Sequence, residues 1–251
     1  MKVNGLVLGG GGAKGAYQIG AISALKELGY EFEVVTGTSI GAVTSLIIAC
    51  NKFDYLKEVW KELDYSYVID HKYKFKNRAF ETFLKGILKG GFALTPFEKI
   101  AKENILYEDL KNSNIRAGIV YTAPFRKYIP VDISKIEKDK LHDYLIASCS
   151  ACPFLKKKAL DGKKCYDGFY SDNLPVKLAK ELGANKIIAI DVLKGFRQKV
   201  DTSDIDYLYI KPSKKLGFFL AFENDKINEM LELGYNDIMN NKEKIVEFIN
   251  K

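Results

Sequence analysis

Histidine is almost absent from this 251-residue sequence, occurring only as His71 and His142. Much hydrolytic chemistry at neutral pH depends on that side chain, so its scarcity narrows where a catalytic base can come from. Cysteine is sparse as well. Cys50, Cys149, Cys152 and Cys165 are too few to form the disulfide framework of a secreted chain this long. His142, Cys149, Cys152 and Cys165 include only one C-x-x-C pair and are otherwise irregularly spaced, so they read as small buried thiols and no metal site is expected. Long apolar runs are also missing. The stretch at 3–8 is too short for a signal-peptide core, and nothing approaches the roughly eighteen residues that span a bilayer. These absences predict a reduced, cytoplasmic protein.

What is present is an ordinary globular composition, 47% hydrophobic and 28% charged, which excludes intrinsic disorder. Lysine and arginine number 39 against 32 acidic residues, a net charge of +7 that favours anionic partners such as acidic lipid, phosphorylated substrates or nucleic acid. Neither a repeat nor a composition break marks a linker, so residues 1–251 are expected to form one domain.

Residues 3–8 read as a strand that stops at Gly9 to Gly12. Apolar residues at Ala16, Ile19, Ile22 and Leu25 have helical spacing, and Gly29 ends that helix. Phe32 to Val35 is a second strand, followed by a glycine-flanked turn and a helix to about Cys50. Strand–loop–helix repeated in this way predicts a parallel α/β sheet. Further on, Phe53, Leu56, Trp60 and Leu63 give an amphipathic helix, and Thr95-Pro96-Phe97-Glu98 has capping-box spacing at a helix start. Residues 116–133 read as strands, a helix starts near Leu141, and Asp161-Gly162 marks a hairpin. A helix over 177–182, a buried strand over 186–192 and a helical region over 223–250 complete the reading.

Gly37-Thr38-Ser39-Ile40-Gly41 is G-x-S-x-G between a predicted strand and a predicted helix, the context of a nucleophile elbow. The glycines allow a sharp turn, and the Ile40 N–H at the helix start could face an oxyanion. A glycine-rich turn with a serine helix cap explains the same residues, and the pattern alone does not separate the two. Gly10-Gly11-Gly12-Ala13-Lys14-Gly15 fits G-x-G-x-x-G, with Glu33 at a spacing suited to a ribose, which would make a dinucleotide-binding oxidoreductase. The same glycines ahead of a helix N-terminus form a nest of N–H donors that suits an oxyanion equally well. A third possibility is a binding module in which both turns are structural. For base, His142 falls on the polar face of a predicted helix, and His71 lies in a charged surface-like run.

Downstream, Cys165-Tyr166-Asp167-Gly168-Phe169 is followed by Asp172-Asn173-Leu174-Pro175. With these residues the chain resembles the patatin-like phospholipases, whose pattern is G-G-G-x-[K/R]-G, then G-x-S-x-G, then D-G-[G/A]. Here the three motifs are Gly10 to Gly15, Gly37 to Gly41 and Asp167-Gly168-Phe169. Ala147-Ser148, Pro153, Asn173-Leu174-Pro175-Val176 and Leu233-Gly234-Tyr235-Asn236-Asp237 are similar too. One departure is Phe169, which stands where the family usually has glycine or alanine.

The resemblance implies a three-layer α/β/α sandwich with a mostly parallel sheet. It implies a lipid acyl hydrolase acting on a phospholipid or other fatty-acyl ester, without cofactor or metal. Ser39 would be the nucleophile and Asp167 the base. Gly10, Gly11, Gly12 and Ile40 would hold the oxyanion, supported by Lys14, Gly15, Gly37, Gly41 and Gly168. Residues 52–140 would supply an acyl channel and lid. A carboxylate is a weak base at its usual pKa of about 4, so burial is expected to raise Asp167 towards neutrality.

Two features point to a surface role. Lys72, Lys74, Lys76 and Arg78 alternate with Tyr73 and Phe75, and Lys156-Lys157-Lys158 with Lys163-Lys164 precede Asp167. With the apolar run Leu216 to Leu220, they suggest peripheral contact with an anionic membrane, and no nucleic acid is expected.

Overall fold

The computed structural model describes residues 2–69, 86–193 and 200–251. His71 and the basic run from Lys72 to Arg78 lie outside the described residues. Strand β1 (Asn4–Leu8) leads through the glycine loop to α1 (Gly15–Glu27), then β2 (Val34–Thr38) and α2 (Ile40–Ala49). Helices α3 (Phe53–Glu62), α4 (Tyr65–Val68), α5 (Thr95–Asn104) and α6 (Tyr107–Lys111) follow. The chain returns to the sheet as the hairpin β3 (Arg116–Ala123) and β4 (Lys127–Asp132), then forms α7 (Leu141–Ser148). Short strands β5 (Ala159–Leu160), β6 (Lys163–Lys164) and β7 (Tyr166–Asp167) precede α8 (Val176–Glu181), β8 (Lys186–Ile190) and β9 (Asp206–Ile210). Helices α9 (Asn224–Met239) and α10 (Lys242–Asn250) close the fold.

The main sheet runs β4-β3-β2-β1-β8-β9, with β2, β1, β8, β9 and β3 parallel and β4 antiparallel at one edge. Alternation along the strands builds two cores, because successive side chains point to opposite faces. Leu6, Leu8, Val35, Ile119, Ile188 and Ile190 pack beneath α1, α2 and α9. Val7, Val34, Val120, Ile187 and Ala189 meet Val176, Leu178 and Leu182 around α8 on the other face. The result is the expected α/β/α layering with a mostly parallel sheet.

Two local expectations need correction, and one strand escapes the sequence pattern. Strand β2 begins two residues later than the apolar run and continues through Thr38, directly into Ser39. Helix α5 does start at Thr95, but its N-cap is Leu94 and no side chain caps it, so the capping box does not form. Strand β9 was not foreseen. It is an edge strand with only Leu208 buried, so its pattern carries little of the apolar signal that marks β8. Asp161 and Gly162, both at positive φ, form the expected hairpin turn between β5 and β6. Among the described residues no helix is long and apolar enough to cross a membrane.

Candidate active site

Because β1 and β2 are parallel neighbours, the glycine loop and the serine turn emerge together at their carboxyl ends. Ser39 is the junction between β2 and α2 and adopts φ 56°, ψ −123°. A non-glycine residue there carries strain of about 1–3 kcal/mol, so neighbouring contacts must hold it. Ser148 Oγ accepts the Ser39 N–H at 3.0 Å and donates to the Val120 carbonyl at 2.6 Å. The flanking glycines are required by contact: a Cβ on Gly41 would lie 2.2 Å from the Leu8 carbonyl oxygen, and one on Gly37 would lie 2.1 Å from that of Gly41. This backbone crowding explains G-x-S-x-G better than a capping serine does, since Ser39 makes no side-chain cap bond to α2.

Asp167 arrives by a different route. Strand β2 pairs with β3 as far as Thr38 and Val120, and β7 takes over the same side of β3 with Asp167 opposite Tyr121. Asp167 thus stands where a continuation of β2 would have been, beside Ser39. Its N–H donates to the Ser150 carbonyl at 3.0 Å, and its own carbonyl accepts the Thr122 hydroxyl at 2.8 Å. The carboxylate accepts the Phe169 N–H at 2.9 Å and faces the Ser39 hydroxyl. Burial dominates over these two interactions and raises its pKa to about 7. Gly168 packs against the Val120 carbonyl.

The glycine loop lies against this pair. A Cβ on Gly10 would come within 3.0 Å of the Ser39 Cβ. The Gly10 N–H, expected among the oxyanion donors, is instead occupied: Asn173 takes it with Oδ1 at 3.1 Å and with its carbonyl at 3.3 Å. The N–H groups of Gly11 and Gly12 have no partner among the described residues, and Ile40 supplies the first N–H of α2. Gly12 needs to be glycine, at φ 56° and with its Cα pressed on the Phe219 carbonyl. Gln18 Nε2 fixes the stem of the loop through the Gly9 carbonyl at 2.7 Å. Asn173 and Ser148 were visible in the sequence only as flanking similarity, and Gln18 was not singled out. Gly15 packs α1 against Ile40 and Trp60. Lys14 is half-buried near Asp191, and burial lowers its pKa.

Neither expected alternative gains support from its residues. Glu33 precedes β2, and its carboxylate accepts the Asn4 N–H at 2.9 Å, at the end of the sheet opposite the glycine loop. It cannot meet a ribose bound there. His142 Nε2 lies 3.0 Å from the Ile105 carbonyl, and His142 lines neither concavity that contains Ser39. Cys50, Cys149 and Cys165 are buried free thiols, and no group of three metal-ligating side chains occurs among the described residues.

Two concavities meet at Ser39. One is lined by Gly10, Gly11, Gly12, Asp167 and the aromatic rings of Phe154, Phe169, Tyr170 and Phe219. The other runs between α2, α3, α4 and α5 and is walled by Val43, Ile47, Leu56, Trp60, Leu94 and Phe97. Its cavity volume is about 120 Å³.

The chain is 32% identical over 209 residues to a lysophospholipase NTE1 of Phaeosphaeria nodorum, covering 76% of this chain and 12% of that protein. It is 29% identical over 205 residues to the patatin-like phospholipase domain-containing protein 7 of Rattus norvegicus, covering 79% and 14%. The chain therefore spans about one-eighth of the length of the curated relatives it matches. The crystal structure of VipD from Legionella pneumophila superposes with TM-score 0.62 at 14% identity, over 98% of this chain and 67% of VipD. The profile of the patatin-like phospholipases matches residues 6–180. The chain belongs to the patatin-like phospholipase family.

Proposed function

We propose that the protein is a lipid acyl hydrolase that works through a Ser39–Asp167 dyad. The observation that carries this reading is the strained Ser39 facing a buried carboxylate in one cleft, at the mouth of an apolar cavity. The lysophospholipase relatives support a glycerolipid ester as substrate. Asp167, ionised above about pH 7, accepts the hydroxyl proton as Ser39 Oγ attacks the ester carbonyl carbon. The carbonyl oxygen becomes an oxyanion held by the N–H groups of Gly11 and Gly12, with Ile40 adding the positive end of α2. Collapse of the tetrahedral intermediate breaks the bond to the alcohol, which leaves with the proton from Asp167. Water then attacks the acyl-enzyme, Asp167 takes its proton, and the fatty acid departs as Ser39 Oγ recovers that proton. No residue in this sequence needs to be a histidine.

In this reading the cavity between α2 and α5 is the acyl channel, lined within 52–140 by residues between Tyr55 and Ile105, whereas 116–132 belong to the sheet. The aromatic cleft on the Asp167 side receives the alcohol portion, and Phe169 is one of its walls. Covalent labelling by a fluorophosphonate, with the adduct mapped by mass spectrometry, tests the reading. The label is expected on Ser39, and Ser39→Ala is expected to lose both label and esterase activity while its circular dichroism is unchanged. A label on any other serine defeats the assignment.

A further inference from the structure

Strands β3 and β9 run parallel to β2, so the loops that follow them emerge at the same end of the molecule as Ser39. The turn after β3 places Phe125 fully in solvent, the most exposed large apolar side chain among the described residues. Phe125 and Arg126 both sit in the left-handed region, at φ 61° and 58°. A phenylalanine in that conformation is strained, and one without apolar neighbours loses the burial that would offset the strain. The loop after β9 contains Gly217, at φ 75°, followed by Phe218, which is 49% exposed.

Aromatic rings line the cleft on the side of each projection. Phe218 packs on Phe219 with ring centroids 4.8 Å apart, and Phe219 packs on Phe154 at 5.1 Å. On the far side Phe169 meets Tyr170 at 5.4 Å, and the Arg126 guanidinium donates to the Tyr170 carbonyl at 3.1 Å. Phe154, Phe169, Tyr170 and Phe219 themselves line the cleft that holds Ser39 and Asp167. Apolar surface therefore extends from the site outward to Phe218, while Phe125 projects beside Arg126, which is tied to the Tyr170 wall of the cleft.

Charge follows the same rim. Arg126 and Lys127 adjoin Phe125, Lys156 and Lys157 follow Phe154, and Lys214 and Lys215 precede Phe218; all six are exposed. None of the six is ion-paired among the described residues, whereas the neighbouring Lys158 is neutralised by Asp143 at 2.7 Å.

We propose that this rim is a docking surface for an anionic lipid bilayer, with Phe125 and Phe218 entering the headgroup layer and the six cations meeting lipid phosphates. The proposal rests on the lipid-hydrolase reading, since it supplies the route by which the ester of a membrane lipid reaches Ser39 without crossing water. Two exposed rings flanking an apolar mouth and ringed by unpaired cations match a surface that is apolar inside and anionic at its boundary. Each basic residue near such a surface strengthens binding about fivefold, and burial of one phenyl ring about tenfold or more.

The test uses the full chain carrying Ser39→Ala, so that vesicles stay intact while binding is read by co-sedimentation. Vesicles of phosphatidylcholine alone are compared with vesicles of two parts phosphatidylcholine to one part phosphatidylglycerol. Tighter binding to the anionic vesicles is expected, weakening as salt shortens the Debye length from about 10 Å at 0.1 M to about 3 Å at 1 M. Phe125→Asn is the informative variant, because asparagine accepts positive φ more readily than phenylalanine and the turn is preserved. It is expected to bind the anionic vesicles about tenfold more weakly. With Ser39 intact, Phe125→Asn is expected to hydrolyse a water-soluble short-chain ester at the unaltered rate.

Equal binding to both vesicle types, or undiminished binding by Phe125→Asn, overturns the docking surface. Binding of a duplex oligonucleotide with no vesicle binding also overturns it, and identifies the cations as a nucleic-acid patch. Loss of vesicle binding leaves short-ester hydrolysis as the separate measure of the dyad, so the two readings fail independently.

Discussion

Replacing Asp167 by asparagine removes a carboxylate whose burial has pushed its pKa up to about 7, and leaves a side chain of nearly the same shape. In the unfolded chain that carboxylate titrates near 3.9, and each pH unit of difference corresponds to 1.36 kcal/mol. The ionised base therefore costs the folded state on the order of 4 kcal/mol. The sign follows from proton binding. Between about pH 4 and pH 7 the folded protein holds a proton that the unfolded chain has released, so stability falls as pH rises through that window and is flat above it. Asp172, raised to about 6, and Asp191, also raised by burial, act in the same direction but are common to both proteins. Urea denaturation of wild type and Asp167→Asn at several pH values isolates the Asp167 contribution as a difference of differences. The variant is expected to gain little at pH 4 and up to a few kcal/mol above pH 7, while losing two to four orders of magnitude in ester hydrolysis, about the value of a positioned base. In wild type the same group gives kcat/KM an acid limb rising through about pH 7. A stability difference that does not change with pH would refute the burial argument, because it would mean that Asp167 ionises as easily in the fold as outside it.

Other perturbations have separate signatures. His142→Ala removes the contact with the Ile105 carbonyl and is expected to cost about 1 kcal/mol in a melt while keeping full activity; a folded but inactive variant would restore a histidine base. Gly41→Ala forces a methyl group onto the Leu8 carbonyl and is expected to cost more than about 3 kcal/mol, seen as low soluble yield or a depressed melting temperature. Ala101→Phe fills part of the apolar cavity. It is expected to lower kcat/KM for long-chain esters by about tenfold for each methylene displaced and to leave butyrate esters unaffected, as measured across a chain-length series. A uniform loss across all chain lengths would place the acyl group elsewhere.

Much of the scaffold is legible from local pattern, and the failures have physical causes. Strands β1 and β8 declare themselves because both faces are buried, so their apolar runs are unbroken. Strand β9 hides because an edge position leaves four of its five residues partly exposed. The start of α5 is marked by proline, but the cap that Thr95 and Glu98 suggest does not form because the chain enters the helix one residue earlier, at Leu94. At the site, Ser39 is readable from the glycines its turn demands. Gly10 misleads, since it has the motif's position while its N–H belongs to Asn173, a partner 163 residues away. Hydrogen bonds between distant segments leave no periodicity to read.

The position of Asp167 shows how such a distant pair can still be fixed tightly. Separation along the chain is irrelevant once both residues are attached to β3. That strand carries β2 on one edge as far as Val120, and the next two positions, Tyr121 and Thr122, accept Asp167 and Tyr166 on the same edge. Ending β2 at Ser39 is what makes the space, and the short β7 is what fills it. The same geometry excludes water: Val120 offers its carbonyl to Ser148, which holds the Ser39 N–H, and Gly168 closes on that carbonyl from the other side. Burial of the carboxylate is thus a consequence of strand pairing, and the raised pKa is a consequence of burial. Disturbing the pairing should therefore alter the base without touching it. Thr122→Val removes the hydroxyl that holds the Asp167 carbonyl at 2.8 Å while keeping the β-branched shape the strand needs. Looser anchoring admits water and lowers the pKa of Asp167. The acid limb of kcat/KM is expected to move to lower pH and the plateau rate to fall, whereas a variant with only a structural role would lose stability with its pH profile in place.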